Sequence, residues 1–247
     1  MKKKKTIAMN LNVKLSNILF LDIETVPQEK SWNLLSKETQ QLFSLKTKYQ
    51  RKEDFTAEEF YERAGIWAEF GKIICISVGY FFDNDREKQL RITSFFGDDE
   101  RKILIEFKTL LNKHFNKKNN ILCAHNGKEF DFPFIARRMI VHQIELPKKL
   151  NLFGKKPWEV PHLDTLELWK FGDYKHYTSL KLLTKTLGIP SPKDDIDGSE
   201  VAKVYYKENN LQRIVKYCEK DTIAVAQLLL RFNNEELLEE KNIVSVN

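Results

Sequence analysis

The sequence predicts an α/β domain in which a mixed β-sheet is flanked by helices. Three observations lead there. An apolar run, SNILFLDIETVP at 16–27, reads as a buried strand. Two more apolar runs, KIICISVGYFF at 72–82 and LRITSFFG at 90–97, are separated only by a turn-like DNDREK and Gln89. Beyond them, short apolar segments alternate with helical patterns. Tight connections give antiparallel neighbours, and helix-connected strands give parallel ones. The expected sheet therefore has three antiparallel strands followed by parallel ones.

Between the first two strands, the polar, aromatic-dotted segment at about 28–70 is mainly helical, with Thr56 and Glu59 spaced as a capping box. Trp32, Phe43, Tyr49, Phe55, Phe60, Tyr61 and Trp67 within it suit either a cover over a site entrance or a structural cap. DDERKILIEFKTLLNKHF at 98–115 is an amphipathic helix, acidic at its start and basic at its end. NNILCAHN at 119–126 reads as a short buried strand, and FDFPFIARRMIVHQ as a helix that tolerates Pro133 in its first turn. VPHLDTLELW at 160–169 closes a strand–helix–strand unit. Helical patterns then fill TSLKLLTKTLGI and, after a loop rich in Pro, Asp and Gly at 190–198, the long stretch EVAKVYY to LLLRF.

A length of 247 residues suits one large domain carrying an insertion. The expected division is a basic tail at 1–15, one domain at 16–235 with the insertion at about 28–70, and a C-terminal tail at 236–247. The formal charge of +6 permits an anionic partner, though Lys2 to Lys5 supply part of it. No apolar stretch suits a signal peptide or membrane span. Cys75, Cys123 and Cys218 are widely spaced in apolar surroundings, which fits reduced core thiols and a cytosolic setting rather than a disulfide framework or a zinc site.

Four acids break the apolar pattern. Asp22 and Glu24 lie two apart in the first strand, so they share a face with Cβ atoms roughly 7 Å apart. They are either solvated at a strand mouth or compensated by positive charge. Asp131, at a helix start, has the alternative role of N-cap. Asp221 lies on the path of the inward stripe Leu211, Ile214, Val215, Cys218, Val225, Leu228 and Leu229, with Tyr217 one turn earlier on its own face. A buried Arg or Lys could pair with it. A divalent-metal site satisfies all four acids at once, because hard cations such as Mg²⁺ take carboxylate oxygens. A pair of such ions can grip a scissile phosphate. Tyr217, with an ordinary pKa around 10, suits orienting a water better than deprotonating it.

Asp22-Ile-Glu24, Asn126-Gly-Lys-Glu-Phe130-Asp131 and Tyr217-Cys-Glu-Lys-Asp221 together resemble the three exonuclease motifs of the DEDD (DnaQ-like) superfamily. The tyrosine-containing branch, found in the proofreading domain of family B DNA polymerases, is the one they resemble. The similarity runs from about residue 16 to 232. It implies an RNase H-like fold and metal-dependent 3′–5′ hydrolysis of nucleic acid, releasing nucleoside monophosphates. It also implies two divalent ions, Mg²⁺ or Mn²⁺, held by Asp22, Glu24, Asp131 and Asp221, with Tyr217 orienting the water. Asn126 and Phe130 would lie near the terminal nucleotides of a DNA or RNA 3′ end. For Phe130, a place in the core is the competing role. The resemblance is to small stand-alone relatives, so any proofreading would occur in trans, with a polymerase or repair complex. A fold of this kind that binds nucleic acid without catalysis is the alternative, and the presence of all five motif residues argues against it.

Asp164 is a fifth acid near the expected site, read as a helix cap or a supporting group rather than a ligand. Lys128, Arg137, Arg138 and Lys175 are candidate phosphate contacts, none of them individually compelling. His125 has no metal-binding partners near it in sequence. No Walker loop, dinucleotide fingerprint or nucleophile elbow occurs.

Overall fold

A computed structural model describes residues 13–51, 54–84, 87–173, 177–190 and 196–246. The elements run β1 (Ile18–Pro27), α1 (Lys37–Arg51), α2 (Ala57–Phe60), β2 (Gly71–Asn84), β3 (Glu87–Phe96), α3 (Glu100–His114), β4 (Ile121–Ala124) and α4 (Asp131–Val141). They continue with β5 (Leu163–Asp164), α5 (Thr165–Lys170), α6 (Leu180–Thr186), α7 (Val201–Tyr206), α8 (Leu211–Phe232) and β6 (Ile243–Ser245). Among the described residues the strands form a six-stranded sheet in the order β5-β4-β1-β2-β3-β6. β1, β2 and β3 are an antiparallel meander, and β4 and β5 add in parallel on the far side of β1. This is the expected RNase H-like mixed sheet.

β1 is central and its alternation divides the core. Leu19, Leu21 and Ile23 face α3 and α4, among Leu104, Phe107, Phe132 and Ile135. Ile18 and Phe20 face α8, against Val225, Ala226 and Leu229. With a period of two, Asp22 and Glu24 continue the α8-facing row. The parallel ladder to β4 stops at Phe20↔Cys123, so β1 projects past β4 by the stretch that carries both acids.

Several boundaries differ from expectation for local reasons. The segment at 160–169 yields only a two-residue strand, because Asp164 caps α5 by accepting from the N–H groups of Leu166 and Glu167. The C-terminal helical stretch breaks between α7 and α8, where Asn209 takes a φ of 50° and the Asn210 side chain caps α8. The stretch expected as a C-terminal tail instead supplies β6, which pairs in parallel with β3 at Leu90↔Ile243 through Ile92↔Ser245. Its three residues carried too little pattern to read, and β3 needed an edge partner. Residues 1–12 and Lys175 lie outside the described residues, with the expectations that fell on them.

The insertion builds a small core of its own. Phe43 sits at its centre, with the rings of Trp32, Tyr61, Trp67 and Phe70 at 5.1–5.9 Å. The Thr56–Glu59 capping box forms, whereas Tyr49 and Phe55 stay exposed. The end of the insertion is fastened to β1: Thr25 Oγ1 donates to Gly65 O at 2.8 Å. A Cβ on Gly65 would come within 3.1–3.3 Å of Val26 and Pro27 backbone, so only glycine lets the chains approach this closely.

Candidate active site

Asp22 and Glu24 sit where β1 has outrun β4, at the carboxyl ends of the parallel strands, where open α/β sheets leave a crevice. Asp131 arrives from the other side. The loop after β4 turns through Asn126, whose φ of 63° falls in the left-handed region that asparagine tolerates. Gly127 follows against Ala124 and Phe132, where an added Cβ would lie 2.4 Å from the Ala124 methyl. Asp164 braces the loop by accepting the N–H of Asn126 at 2.9 Å and of Lys128 at 3.1 Å while also capping α5. Asp164 is thus a cap and a support, as its place in the sequence suggests. Phe130 occupies the N-cap position of α4, so Asp131 is the first helical residue and is no cap.

From α8, Tyr217 and Asp221 complete the group, and the Tyr217 hydroxyl hydrogen-bonds Asp221. Between them on the helix, Cys218 Sγ donates to the Asp22 carboxylate at 3.4 Å and to its main-chain O at 3.3 Å. Ligand atoms of Asp22, Glu24 and Cys218 lie within 4.8 Å of one another. Residue order alone did not single out Cys218. Its place between Tyr217 and Asp221, on the inward stripe, was the available signal. All three cysteines are buried thiols.

The electrostatics are those of buried acids crowded together. Burial, then the charges of Glu24, Asp221 and Asp131, push the Asp22 carboxyl well above the usual range. Burial and the charge of Asp221 do the same to Glu24. Burial raises Asp131 to about 8, against the opposing pull of its own N–H and that of Ile23. Burial and the neighbouring acids raise the Tyr217 phenol far above its ordinary value, and burial raises Cys218. Asp22, Glu24 and Asp131 make no ion pair among the described residues. Asp131 Oδ1 is buried with no hydrogen-bond partner. An orphaned carboxylate oxygen amid four acids is a donor set suited to a hard divalent cation.

Two cavities meet at this cluster. One, of about 480 Å³, is bordered by Asp22, Glu24, Phe130, Tyr217 and Asp221, and by Arg63 and Ile66 from the end of the insertion. The other, of about 330 Å³, is bordered by Asp22, His125, Tyr177, Tyr217 and Asp221. Phe130 therefore faces the cavity while also packing on Phe134 at 5.4 Å. Asn126 contributes its main-chain N–H to Asp164, and His125 bonds Thr165 and Thr178. Among the basic candidates, Lys128 pairs with Glu167 at 2.7 Å and Arg138 is buried against Glu100 at 2.6 Å. Arg137 is exposed.

The strand carrying Asp164 is also held by His162, whose Nδ1 accepts the Leu122 N–H while Nε2 donates to Lys149 O at 2.7 Å. Burial lowers its pKa from 6.5 to about 4. The unfolded chain takes up this proton near pH 6.5 and the folded chain only near 4. The stability it confers is full above 6.5 and falls by about 3 kcal/mol as the pH drops to 4. Urea unfolding at pH 7 and pH 4 should show a steeper loss for the wild type than for His162→Gln. Parallel losses would refute the assignment.

A family model described as RNase_H superfamily matches residues 61–233, more than half of the chain. Among solved structures, the chain is similar to a family B DNA polymerase from the hyperthermophilic archaeon Pyrobaculum calidifontis, with a TM-score of 0.49 and 14% sequence identity. The match covers 86% of this chain and 24% of the polymerase, so the chain spans about a quarter of that protein's length.

Proposed function

The chain belongs to the RNase H superfamily, and from that premise we propose that it is a metal-dependent 3′–5′ exonuclease of the DEDD (DnaQ-like) type, in the tyrosine-containing branch. The observation that carries the reading is the gathering of Asp22, Glu24, Asp131 and Asp221 in one buried cluster, with the orphaned Asp131 oxygen inside it. These four residues would hold two divalent ions, Mg²⁺ or Mn²⁺. Bound there, the ions would offset the crowded negative charge and polarise the scissile phosphodiester.

The chain's own groups do the rest. Tyr217 keeps its proton, because its pKa is raised and the hydroxyl is engaged with Asp221. It therefore orients the attacking water through its oxygen and does not act as base. Water oxygen bonds to phosphorus as the P–O3′ bond breaks; the O3′ of the shortened strand takes up one water proton, and the nucleoside monophosphate leaves with the added hydroxyl. Phe130, on the wall of the larger cavity, offers a face to the terminal base, and Asn126 lies beside it in the same motif. The partner on this reading is a single-stranded DNA or RNA 3′ end, such as one presented by a polymerase or repair complex. No helix among the described residues is long and apolar enough to cross a membrane.

A 5′-labelled single-stranded DNA or RNA incubated with Mg²⁺ or Mn²⁺ should give a ladder shortened from the 3′ end. Binding with no turnover across metals and substrates would instead make the chain an inactive nucleic-acid-binding module. Independently of turnover, either ion should raise the unfolding midpoint, with about 2.7 kcal/mol gained at a hundredfold excess over Kd. An unchanged midpoint would remove the metal from the reading.

A further inference from the structure

A second groove lies along α4, outside the acid cluster. Its volume is about 410 Å³. One wall is the α4 face that carries Pro133, Ala136, Arg137 and Ile140, spaced i, i+3, i+4 and i+7. The other is drawn from the segment 146–158, LPKKLNLFGKKPW, of which Phe153 and Lys155 line the groove while Lys156 and Trp158 follow just outside it; Glu129 and Glu167 also border it. Two large aromatics of that segment stand out in solvent, Phe153 at 74% and Trp158 at 76% exposure. The segment holds four lysines and no acid. Lys149 is spent on the carbonyls of Lys117 and Asn120. Arg137, Lys148 and Lys155 are in no ion pair among the described residues, and the Lys156 ammonium lies 5.3 Å from the Trp158 ring centre.

We infer that this groove binds a single-stranded stretch of nucleic acid, the part of the substrate strand upstream of its 3′ end. Bases would stack on Phe153 and Trp158, and phosphates would meet Arg137, Lys155 and Lys156. The inference rests on the exonuclease reading for the identity of the strand. Three features favour this occupant over an apolar protein segment. Exposed aromatic faces alternating with unpaired cations are what a strand of unstacked bases and phosphates requires. An apolar helix would gain nothing from the lysines, which are depleted in the centres of protein interfaces. The groove also begins at Lys128 and Glu129, three and two residues before Asp131, so it leads away from the site along α4. From Asp131 to Ile140 the helix covers about 14 Å, the rise of roughly four stacked nucleotides.

The test is binding of 5′-fluorescein single-stranded 20-mers and 3-mers, DNA and RNA, followed by anisotropy with the divalent metal chelated. Wild type is compared with Phe153→Ala/Trp158→Ala and with Lys155→Glu/Lys156→Glu. These side chains are exposed, so the fold should survive, and circular dichroism checks it. The expected result is at least tenfold weaker binding of the 20-mer in both variants and unchanged binding of the 3-mer. With Mg²⁺ or Mn²⁺ restored, KM for the 20-mer should rise while kcat holds. Unchanged 20-mer affinity in both variants would overturn the groove assignment and leave the exonuclease reading intact, as would loss of self-association in place of loss of oligonucleotide binding. A wild type that neither binds nor shortens any oligonucleotide would overturn both.

Discussion

Asp22→Asn and Asp221→Asn should each lower the rate of 3′-end hydrolysis by at least about 10³-fold, corresponding to the loss of roughly 4 kcal/mol of transition-state stabilisation. Neither should unfold the protein. The folded state keeps the Asp22 carboxyl well above its ordinary pKa, through burial and then the charges of Glu24, Asp221 and Asp131. An acid raised in the folded state opposes folding as the pH climbs above its unfolded value near 3.8, because ionisation is then easier in the open chain. An amide at position 22 removes that opposition. The metal-free Asp22→Asn protein should therefore melt at or above the wild-type temperature at pH 8, and its gain in stability with Mg²⁺ or Mn²⁺ should shrink. Acids that served the fold would behave in the opposite way, with stability falling and activity following it. Wild-type turnover by both variants would remove these residues from the chemistry.

The parts of the site that were legible in the sequence were those whose residue types conflict with their surroundings. Asp22 and Glu24 stand out because a carboxylate inside ILFL must be explained, and Asp221 because it crosses the apolar stripe of α8. The antiparallel meander was equally readable, since the apolar runs at 72–82 and 90–97 are long and lie only a few residues apart in sequence. What escaped depends on contacts between distant segments. β6 is three residues long and gains meaning only from the open edge of β3. Cys218 looked like one more core residue until α8 laid its thiol on the Asp22 carboxylate. The aromatics of the insertion suited a cover over the site entrance and a structural cap equally, and nothing in the sequence picked out Arg63 and Ile66 as the residues that border the cavity. Arg63 and Ile66 reach it because Thr25 and Gly65 tie that turn to β1. Arg138 is the sharpest instance. Its charge suggested a phosphate contact, whereas its position on the inner side of α4 commits it to the interior.

Arg138→Ala should cost about 3–5 kcal/mol of folding stability, a fall in the unfolding midpoint on the order of 10 °C. Arg138 is 3% exposed and its partner Glu100 is 5% exposed, so neither charge has water to fall back on. The guanidinium makes a forked pair with Glu100, Nε to Oε1 at 2.9 Å and Nη2 to Oε2 at 2.6 Å, while Nη1 donates to Ala68 O at 2.8 Å. Glu100 in turn accepts the Ile73 N–H at 2.7 Å and lies 2.7 Å from His142 Nε2. The cluster thus joins β2, α3, α4 and the end of the insertion. Truncating Arg138 strands a buried carboxylate and a carbonyl. Replacing the pair together, as Arg138→Met/Glu100→Gln, should recover a large part of the loss, since the cost lies mainly in the uncompensated charge. Because α4 begins at Asp131, the cluster also fixes the helix that delivers an acid to the site. At temperatures where Arg138→Ala is still folded, kcat should change far less than stability does. A variant that melts normally but loses affinity for oligonucleotides would return Arg138 to the role its charge first suggested.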